Sequence, residues 1–487
     1  MSHKSEIYRR TLSFLVAAAL REALPSRGVY AGHLLGGSYC YTFACAANVS
    51  ERETDRLKEE MQRLIERDIE IRTFSLNYSE ALAYFEKNGQ EDTALLLRQR
   101  GKDTVKVNQL NDFLTLYGGP LLPRTGLVSL FDIIPCREGF FLDFPKEYGG
   151  GFTEKNPEVS KAFSVYKEYM KWGRITGAHS AGHVNRIIAE GRVKEFIRIN
   201  EAFQAKKLSA IADEIYKRRD DIKVVLLAGP SSSGKTTTAK QLSTHLEVLG
   251  IRAINISLDD YYLHPDKAPK DENGQPDLEC LEALDVDYLN KQLLDLLDGK
   301  EATLPVYDFK TRTRAQGRTI RLGARREVLI IEGIHGLNDA LTPQIKAENK
   351  FKLYVSALSQ IGLDGHNRVS SSDNRLLRRI VRDRQFRGMS ARRTLAMWES
   401  VERGAEKYVF RFENSACALF NSAFDYEIPV LKCYAEPLLR EIKPGYPEYV
   451  EAERLLYLLD NFTALPPQFV PGESILREFI GGSDFKY

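Results

Sequence analysis

The second half of the chain shows short, mostly apolar runs that alternate with longer, helix-type patterns. Such runs are typical of strands buried on both faces of a parallel sheet. They stand at residues 224–228, 253–258, 327–331 and 351–355. Between the second and third lies DYLNKQLLDLLDGK, residues 287–300, whose apolar positions follow a helical period up to Gly299. This alternation predicts a doubly wound α/β domain with its ligands at the carboxyl ends of the strands.

The first 150 residues mix helical and strand-type patterns in no regular order. The clearest signals are a helical face over 57–65, strands at 69–71 and 139–145, and a capping-box pair of Asn77 and Glu80. Residues 12–20 are apolar, follow two arginines and could pass for a signal peptide. A charged pair interrupts this run at once, so the better prediction is a buried helix. The patterns together indicate an α+β domain.

These patterns divide the chain into four consecutive regions. The divisions are an α+β domain over 1–150, a polar, helical connector over 151–221, the α/β domain over 222–435 and a C-terminal extension over 436–487. The sequence YGGG at 148–151 predicts a hinge between the first two regions.

A glycine-rich loop follows the first apolar run directly. Residues 229–236, GPSSSGKT, match G-x-x-x-x-G-K-[ST] in full. In this motif backbone N–H groups and the next helix N-terminus bind phosphate, while Lys235 neutralises β and γ oxygens and Thr236 ligates Mg²⁺. A loop that merely caps an ordinary helix is the alternative. The coincidence of strand, loop and helix signals favours a nucleotide site.

Polar residues at two further strand ends extend this site. Asp259 follows the second apolar run and Glu332 follows the third, so both carboxylates are expected near the phosphate loop. Asp259 is a candidate for a general base or a metal ligand, and Glu332 for a metal ligand. Either residue could instead be a helix N-cap or a turn residue.

An arginine-rich segment follows the fourth apolar run. Residues 374–393 contain eight arginines and one acid, Asp383. Arg375, Arg379 and Arg382 share one helical face by their spacing. A solvated basic helix or an RNA-binding patch would explain the charge; the sharper prediction is a lid over the phosphates of ATP.

Composition narrows the remaining possibilities. The 487 residues carry a net charge of +2, so no global field draws the protein to nucleic acid. Six cysteines without a C-x-x-C pair are typical of reduced thiols in a cytoplasmic protein. His179 and His183 have a spacing that suits a metal, but no Asp, Glu or Cys stands beside them in the sequence. Ordinary buried or exposed histidines are therefore predicted there.

Five motifs in order resemble the uridine kinase/phosphoribulokinase family of P-loop kinases. They are GPSSSGKTT, SLDDYY at 257–262, LPVYDFKTRTR at 304–314, IIEGIHGL at 330–337 and RLLRRIVRDRQFRG at 375–388. The resemblance implies a P-loop kinase that uses ATP and Mg²⁺, with Asp259 and Lys235 as catalytic residues. Implied ATP contacts are Gly229, Pro230, Ser231, Ser232, Ser233, Gly234, Lys235, Thr236, Thr237, Arg379, Arg382 and Arg387. Implied substrate contacts are Asp259, Tyr262, Glu279, Tyr307, Phe309, Arg312 and Arg314, and implied metal ligands are Thr236, Asp259 and Glu332.

Two positions depart from the pattern of pyrimidine nucleoside kinases. Arg312 stands where those enzymes carry His in the base pocket, and Glu279 stands in place of a ribose-binding Asp. An arginine only donates hydrogen bonds, so it disfavours the amino group of cytosine. We therefore expect cytidine to be a poorer substrate than uridine, and another acceptor could be better than both.

The first region resembles the editing-type second domain of threonyl-tRNA synthetases. RTLSFLVAAALREALP is similar to that domain's first helix, and YGGPLLP at 117–123 to its C-R-G-P-H-x-P turn. The four metal-type or proton-shuttling positions of that family fall on Arg10, Phe14, Tyr117 and Leu121. The resemblance thus implies a binding or scaffolding domain that lacks the catalytic residues. The same domain order resembles a bacterial subgroup of uridine kinase-like nucleoside kinases.

Two functions remain open from the sequence. The first is an ATP-dependent kinase that phosphorylates the 5′-hydroxyl of a uridine-like nucleoside, or another small alcohol. The second is a nucleotide-dependent RNA-binding protein, suggested by the synthetase-like domain and the basic stretches at 310–326 and 375–393. The expected partners are a small-molecule substrate, RNA through the first domain in the second case, and a further copy of the chain in a homo-oligomer. No membrane partner is expected.

Overall fold

The computed structural model describes most of the chain. The described residues are 3–25, 27–35, 37–43, 49–145, 150–152, 161–270, 274, 277–308, 311, 313–323 and 326–486. They form two compact units: unit 1 is Met1–Val193, Leu358–Asn374 and Ile428–Leu465, and unit 2 is Lys194–Ala357, Arg375–Glu427 and Pro466–Tyr487. The sequence divides the chain into consecutive regions, whereas both units are built from separated segments.

The described chain contains both helices and strands along its whole length. The helices are α1 (His3–Ala23), α2 (Glu51–Glu66), α3 (Tyr78–Lys87), α4 (Glu91–Arg98), α5 (Lys161–Thr176), α6 (Ala181–Ala189), α7 (Val193–Lys217), α8 (Lys235–Val248), α9 (Val286–Leu297), α10 (Ser371–Phe386), α11 (Ala391–Tyr408), α12 (Glu427–Arg440), α13 (Tyr449–Leu459) and α14 (Arg477–Ile480). The strands are β1 (Val29–Leu35), β2 (Ser38–Phe43), β3 (Arg72–Asn77), β4 (Thr104–Leu110), β5 (Phe113–Leu116), β6 (Asp132–Cys136), β7 (Gly139–Asp143), β8 (Val224–Ala228), β9 (Arg252–Ser257), β10 (Glu301–Asp308), β11 (Thr313–Arg321), β12 (Glu327–Glu332), β13 (Lys350–Ser356) and β14 (Ala418–Asn421). Across these described residues, none of the helices combines the length and apolar character needed to span a membrane.

Unit 1 contains two antiparallel sheets with helices, which confirms the predicted α+β character. The strand orders are β1-β2-β7-β6 and β3-β4-β5. Helix α1 contributes the buried side chains of Leu12, Leu15 and Val16 to the core that it shares with α2. The apolar run at 12–20 is therefore a core helix, as predicted.

The predicted strand at 69–71 is wrong. Asp68 adopts a positive φ of 45° after α2, and the next residues bond to a loop rather than to a strand. The Ile71 N–H donates to Pro123 O at 2.9 Å, and Glu70 forms an isolated bridge with Arg124. Regular pairing starts only at β3. The predicted cap is present, since the Asn77 side chain accepts the Glu80 N–H at 2.9 Å at the start of α3.

Unit 2 is built on a five-stranded parallel sheet, which confirms the predicted α/β fold. The strand order is β14-β13-β8-β12-β9, and the four predicted apolar runs form β8, β9, β12 and β13. Strand β8 is buried along its whole length at the centre. Glu332 at the end of β12 pairs in register with Ser257 of β9 and Leu227 of β8. The register therefore brings the ends of these three strands together.

Two strand features of unit 2 are absent from the sequence-based prediction. Strand β14 is a short edge strand of four residues. Strands β10 and β11 form an antiparallel hairpin of their own. The hairpin is largely exposed and polar along β11, so it lacks the apolar pattern that predicts a buried strand.

Candidate active site

The phosphate loop lies between the central strand β8 and helix α8. Ser232 and Gly234 adopt positive φ values of 61° and 82°, which turns the loop back over the start of α8. Gly229 has no room for a side chain, because a Cβ there would lie 2.0 Å from Val355 O and 2.6 Å from Ser233 Oγ. The two glycines of the motif are thus required by this backbone path.

The loop presents polar groups that lack partners within the described chain. The hydroxyl oxygens of Ser232 and Ser233 are buried without a hydrogen bond. The first-turn N–H groups of α8 have no intrahelical acceptors, and their dipole favours an anion. Lys235 Nζ lies back over the loop and donates to Pro230 O at 3.3 Å. Such a set fits the phosphates of a nucleotide.

A buried carboxylate lies beside this loop. Glu332 Oε1 accepts hydrogen bonds from Thr236 Oγ1 at 3.0 Å and from Ser257 Oγ at 2.9 Å. Burial and the nearby charge of Asp259 raise the pKa of Glu332 to about 7. Mg²⁺ prefers oxygen ligands such as carboxylates and hydroxyls. Thr236 and Glu332, whose side-chain oxygens are hydrogen-bonded to each other, therefore fit the predicted metal site.

The two adjacent aspartates of SLDDYY have different surroundings. The Asp260 carboxylate accepts the Tyr307 N–H at 3.0 Å and so holds the end of β10. Burial raises the pKa of Asp260. Asp259 instead interacts electrostatically with Glu332 and Glu279, raising the pKa of both carboxyl groups. Of the pair, Asp259 is therefore the carboxylate that belongs to the acidic cluster.

The predicted substrate residues are brought together only in part. Burial raises the pKa of Glu279 to about 7, an effect opposed by Arg379 and Lys235. The rings of Tyr262 and Tyr307 lie 6.0 Å apart, and burial raises the pKa of Tyr262 well above its usual range. Arg314 pairs across the hairpin with Tyr307, and its side chain bonds to Asp285 at 2.9 Å and covers the Tyr288 ring. Phe309 and Arg312 lie outside the described residues.

The arginines of the predicted lid differ in burial: Arg379 of α10 is buried, whereas Arg382 of α10 and Arg387, just after its end, are partly exposed. Arg379 Nη1 donates to Ser231 Oγ of the phosphate loop at 2.7 Å. Arg382 and Arg387 flank the buried Asp383, at 3.3 Å and 3.7 Å. The close approach of Arg382 lowers the pKa of Arg387 to about 10. Only Arg379, of these three, shows a hydrogen bond to the loop.

Two charged residues at the loop escape the sequence analysis. Arg378 is fully buried and bonds to Ser422 O at 2.9 Å and to Glu427 Oε2 at 3.1 Å through Nε. Glu478 of α14 accepts the Thr237 N–H at 3.0 Å and its hydroxyl at 2.7 Å. The partner of Arg378, Glu427, and the loop-bound Glu478 are both far from the loop in sequence. Neither residue spacing nor a local sequence pattern therefore connects them to the loop.

Unit 1 contains a separate cavity of about 100 Å³. Three of the four positions singled out by the synthetase resemblance, Arg10, Phe14 and Leu121, line it. Tyr117 packs instead against the ring of Tyr457, with centroids 5.1 Å apart. The resemblance in sequence thus corresponds to a cavity, but one lined at these positions by side chains that differ from the catalytic set.

The structure also changes the interpretation of the histidine pair. His179 and His183 are mostly buried, and Asp92 of α4 lies beside both at 3.5 Å and 3.6 Å. The sequence-based expectation of histidines without an acidic neighbour is therefore wrong, because the acid comes from a distant helix.

Comparisons with known proteins agree with the motifs. The sequence model described as "Phosphoribulokinase / Uridine kinase family" matches residues 224–428. The uridine kinase of Bacillus subtilis (strain 168) is 31% identical over 180 residues, which are 37% of this chain and 76% of that enzyme. A possible uridine kinase structure from Bacillus stearothermophilus aligns at 22% identity and a TM-score of 0.28, over 43% of this chain and all of the other.

The N-terminal region has a different set of relatives. The threonine–tRNA ligase of Acetivibrio thermocellus is 25% identical over 158 residues, or 31% of this chain and 25% of the ligase. This match fits the synthetase-like domain predicted from the sequence. The match to the family model at residues 224–428 contains all five kinase-type motifs, and the Bacillus subtilis relative is covered over 76% of its length. The chain therefore belongs to the phosphoribulokinase/uridine kinase family of P-loop kinases, and this membership implies an ATP-dependent phosphotransferase.

Proposed function

We propose that the protein transfers the γ-phosphate of ATP to the 5′-hydroxyl of a uridine-like nucleoside. The observation that supports this most directly is the clustering of Lys235, Asp259 and Glu332 at the ends of three adjacent strands. A phosphate-binding loop alone indicates only a nucleotide. A second carboxylate beside the metal-type carboxylate adds the base that a kinase acting on an alcohol requires.

The phosphates are held by the loop and by two positively charged side chains, those of Lys235 and Arg379. The backbone N–H groups at the start of α8 and the hydroxyls of Ser232 and Ser233 surround the phosphate chain. Lys235 leaves its contact with Pro230 O and neutralises the β and γ oxygens. Arg379, which already bonds to the loop at Ser231, lies where negative charge develops on the transferred group.

The metal ligands are Thr236 and Glu332, with Asp259 nearby. A Mg²⁺ held by these residues would supply positive charge that neutralises the phosphate oxygens. The shared hydrogen bond between Thr236 and Glu332 keeps the two ligand oxygens together before the cation binds. The raised pKa of Glu332 means that this carboxyl readily holds a proton, which it gives up when it binds a cation.

Asp259 is the proposed general base. It takes the proton from the acceptor hydroxyl as that oxygen attacks the γ-phosphorus and as the bond to the β-phosphate oxygen breaks. Asp260 is unsuited to the role because its carboxylate is already committed to the Tyr307 N–H.

The acceptor pocket is proposed at Tyr262, Tyr307 and Glu279. Two aromatic side chains 6.0 Å apart offer an apolar face for a flat ring. Glu279 presents oxygens that accept hydrogen bonds from ribose hydroxyls, in the place of the aspartate in related kinases. Another small hydroxyl compound is the alternative acceptor, because Arg312 and Glu279 both differ from the pyrimidine nucleoside kinase pattern.

A product screen tests this proposal. The full chain is incubated with ATP, Mg²⁺ and, separately, uridine, cytidine, purine nucleosides and a sugar alcohol, with and without tRNA. We expect a nucleoside 5′-monophosphate as the main product, with a higher kcat/KM for uridine than for cytidine. Phosphorylation of the sugar alcohol alone would replace the nucleoside with another acceptor. ATP turnover that depends on tRNA, without a phosphorylated small molecule, would overturn the kinase proposal.

A further inference from the structure

A cluster of three potential metal ligands lies in unit 1. Asp92 belongs to the first turn of α4, His183 to α6, and His179 to the segment just before α6. Helices α4 and α6 pack closely because Gly182 has no side chain: a Cβ there would lie 2.8 Å from Leu96 N. This close packing places both histidines against Asp92.

The distances within the cluster do not suit hydrogen bonds. Asp92 Oδ1 lies 3.5 Å from His179 Nε2 and 3.6 Å from His183 Nδ1, beyond the range of good hydrogen bonds. All three potential ligand atoms lie within 4.8 Å of one another. In a tetrahedral site with bonds of about 2.0–2.1 Å, two ligand atoms are about 3.3 Å apart. The observed spacing is therefore close to that of ligands around one shared ion.

Because the three side chains are mostly buried, the long separations between Asp92 and the two histidines are unfavourable unless an ion lies between them. The exposed fractions of the side chains are only 15% for Asp92, 20% for His179 and 15% for His183. His179 has no hydrogen bond at either ring nitrogen within the described chain, and its Nδ1 is fully buried. A buried polar group without a partner is unfavourable. A cation at Nε2 would give this ring a partner at that nitrogen.

An ion pair between histidine and aspartate explains the cluster less well. A charge-assisted N–H···O bond has a donor–acceptor distance of about 2.7–2.9 Å. The two histidine nitrogens instead lie 3.5 Å and 3.6 Å from Asp92 Oδ1. His183 Nδ1 shares a hydrogen bond of 2.8 Å with Ser180 Oγ, and that hydroxyl can rotate away when a cation binds.

We propose that Asp92, His179 and His183 bind one divalent transition-metal ion of the zinc type. Two imidazoles and one carboxylate favour Zn²⁺ or Co²⁺ over Mg²⁺, which prefers oxygen ligands. Three protein ligands leave a fourth position for water or another ligand. The ion would tie α4 to the segment that begins α6, and so stabilise unit 1 independently of the kinase chemistry.

Metal binding by the full chain tests the proposal. Protein stripped with a chelator is titrated with Zn²⁺, and bound metal is measured by elemental analysis after desalting. We expect one equivalent for the wild type, a visible spectrum typical of tetrahedral Co²⁺ after substitution, and a higher Tm with Zn²⁺ than without. Excess Mg²⁺ should not displace the Zn²⁺. A wild-type protein that retains no Zn²⁺ would overturn the assignment.

Matched variants locate the ion. Asp92→Asn and His183→Ala should lose the bound equivalent, whereas Ser180→Ala and Glu332→Gln should keep it. Asp92→Asn preserves side-chain size, so it remains informative where His183→Ala fails to fold, with circular dichroism as the check. A full equivalent in Asp92→Asn and His183→Ala, or its loss in Glu332→Gln alone, would place the ion elsewhere and reject this site.

Discussion

The phosphate-loop site of unit 2 and the histidine cluster of unit 1 are assembled in opposite ways. The first draws its residues from the ends of parallel strands, each within a recognisable local motif. The second joins one residue of α4 to two residues near the start of α6, and only helix packing brings them together. The carboxyl ends of parallel strands lie at the same edge of the sheet, so the residues that follow each strand can be predicted from the sequence to form one site. Helix packing gives no such rule.

The largest expected effect distinguishes the two carboxylates of SLDDYY. Asp259→Asn should reduce kcat by about 10²–10⁴-fold because the amide cannot accept the acceptor's proton. ATP binding should persist. Asp260→Asn is the matched control: it keeps an oxygen that can accept the Tyr307 N–H and should cost far less. Steady-state kinetics decide, and an inactive Asp260→Asn beside an active Asp259→Asn would reverse the assignment.

This pair shows how far sequence reasoning reaches in unit 2. The strand pattern and motif predict that Asp259 and Glu332 approach the phosphate loop, since each follows a buried parallel strand. The motif cannot show which aspartate bonds to the hairpin, because β10 lacks a clear strand pattern. Arg378 and Glu478 were missed for a related reason, since their partners Glu427 and Thr237 are remote in sequence. Local periodicity contains no information about such pairs.

Unit 1 shows the same limit more strongly. The burial of α1 follows from its apolar run, and Asn77 caps α3 as its sequence predicts. The segment at 69–71 has the composition of a strand, yet it bonds only to a loop. Asp92 carries no signal of a metal ligand until α4 and α6 are packed. Helices and strands can thus be predicted where local periodicity determines them. A site that forms only through tertiary packing cannot be predicted in this way.

Loss of the P-loop lysine is expected to have the next largest effect. Lys235→Ala should reduce kcat by about 10²–10³-fold, because a charge that stabilises the transferred phosphate is removed. Its folded structure should persist, since Lys235 makes one weak contact with Pro230 O. The variant should also still bind one equivalent of Zn²⁺, which tests that the two sites are independent. Full phosphorylation activity in a folded Lys235→Ala would refute the phosphate-loop assignment.

The acidic cluster of unit 2 predicts a pH-dependent change in stability. The folded protein holds the Glu279 proton up to a pH of about 7, above the ordinary carboxyl range near 4.5. Between these values the unfolded chain has lost a proton that the folded chain keeps, so stability falls as pH rises through the window. Glu279→Gln removes this loss. Its Tm relative to wild type should therefore be higher at pH 8 than at pH 5.

Glu282→Gln is the matched control for this measurement. Glu282 is exposed and close in sequence, so its replacement should change Tm equally at both pH values. If the Tm of Glu279→Gln changes with pH in the same way as that of Glu282→Gln, the pKa of the Glu279 carboxyl is not raised in the folded protein. The contrast between the acidic cluster of unit 2 and the histidine cluster of unit 1 would then be weaker.

The smallest expected effect concerns Glu478 of α14, whose carboxylate bonds to the first turn of α8. Glu478 accepts the Thr237 N–H, a first-turn donor of the same helix end that is proposed to bind phosphate. An anion at a helix N-terminus contributes about 0.3–1 kcal/mol, so Glu478→Gln should lower the KM for ATP by about two- to fivefold, with little change in kcat. Glu473→Gln, an exposed acid in the same segment, is the control. A raised KM in Glu478→Gln would mean that the carboxylate supports the loop instead of competing with phosphate. That result would extend the list of phosphate-loop residues that only the folded structure reveals.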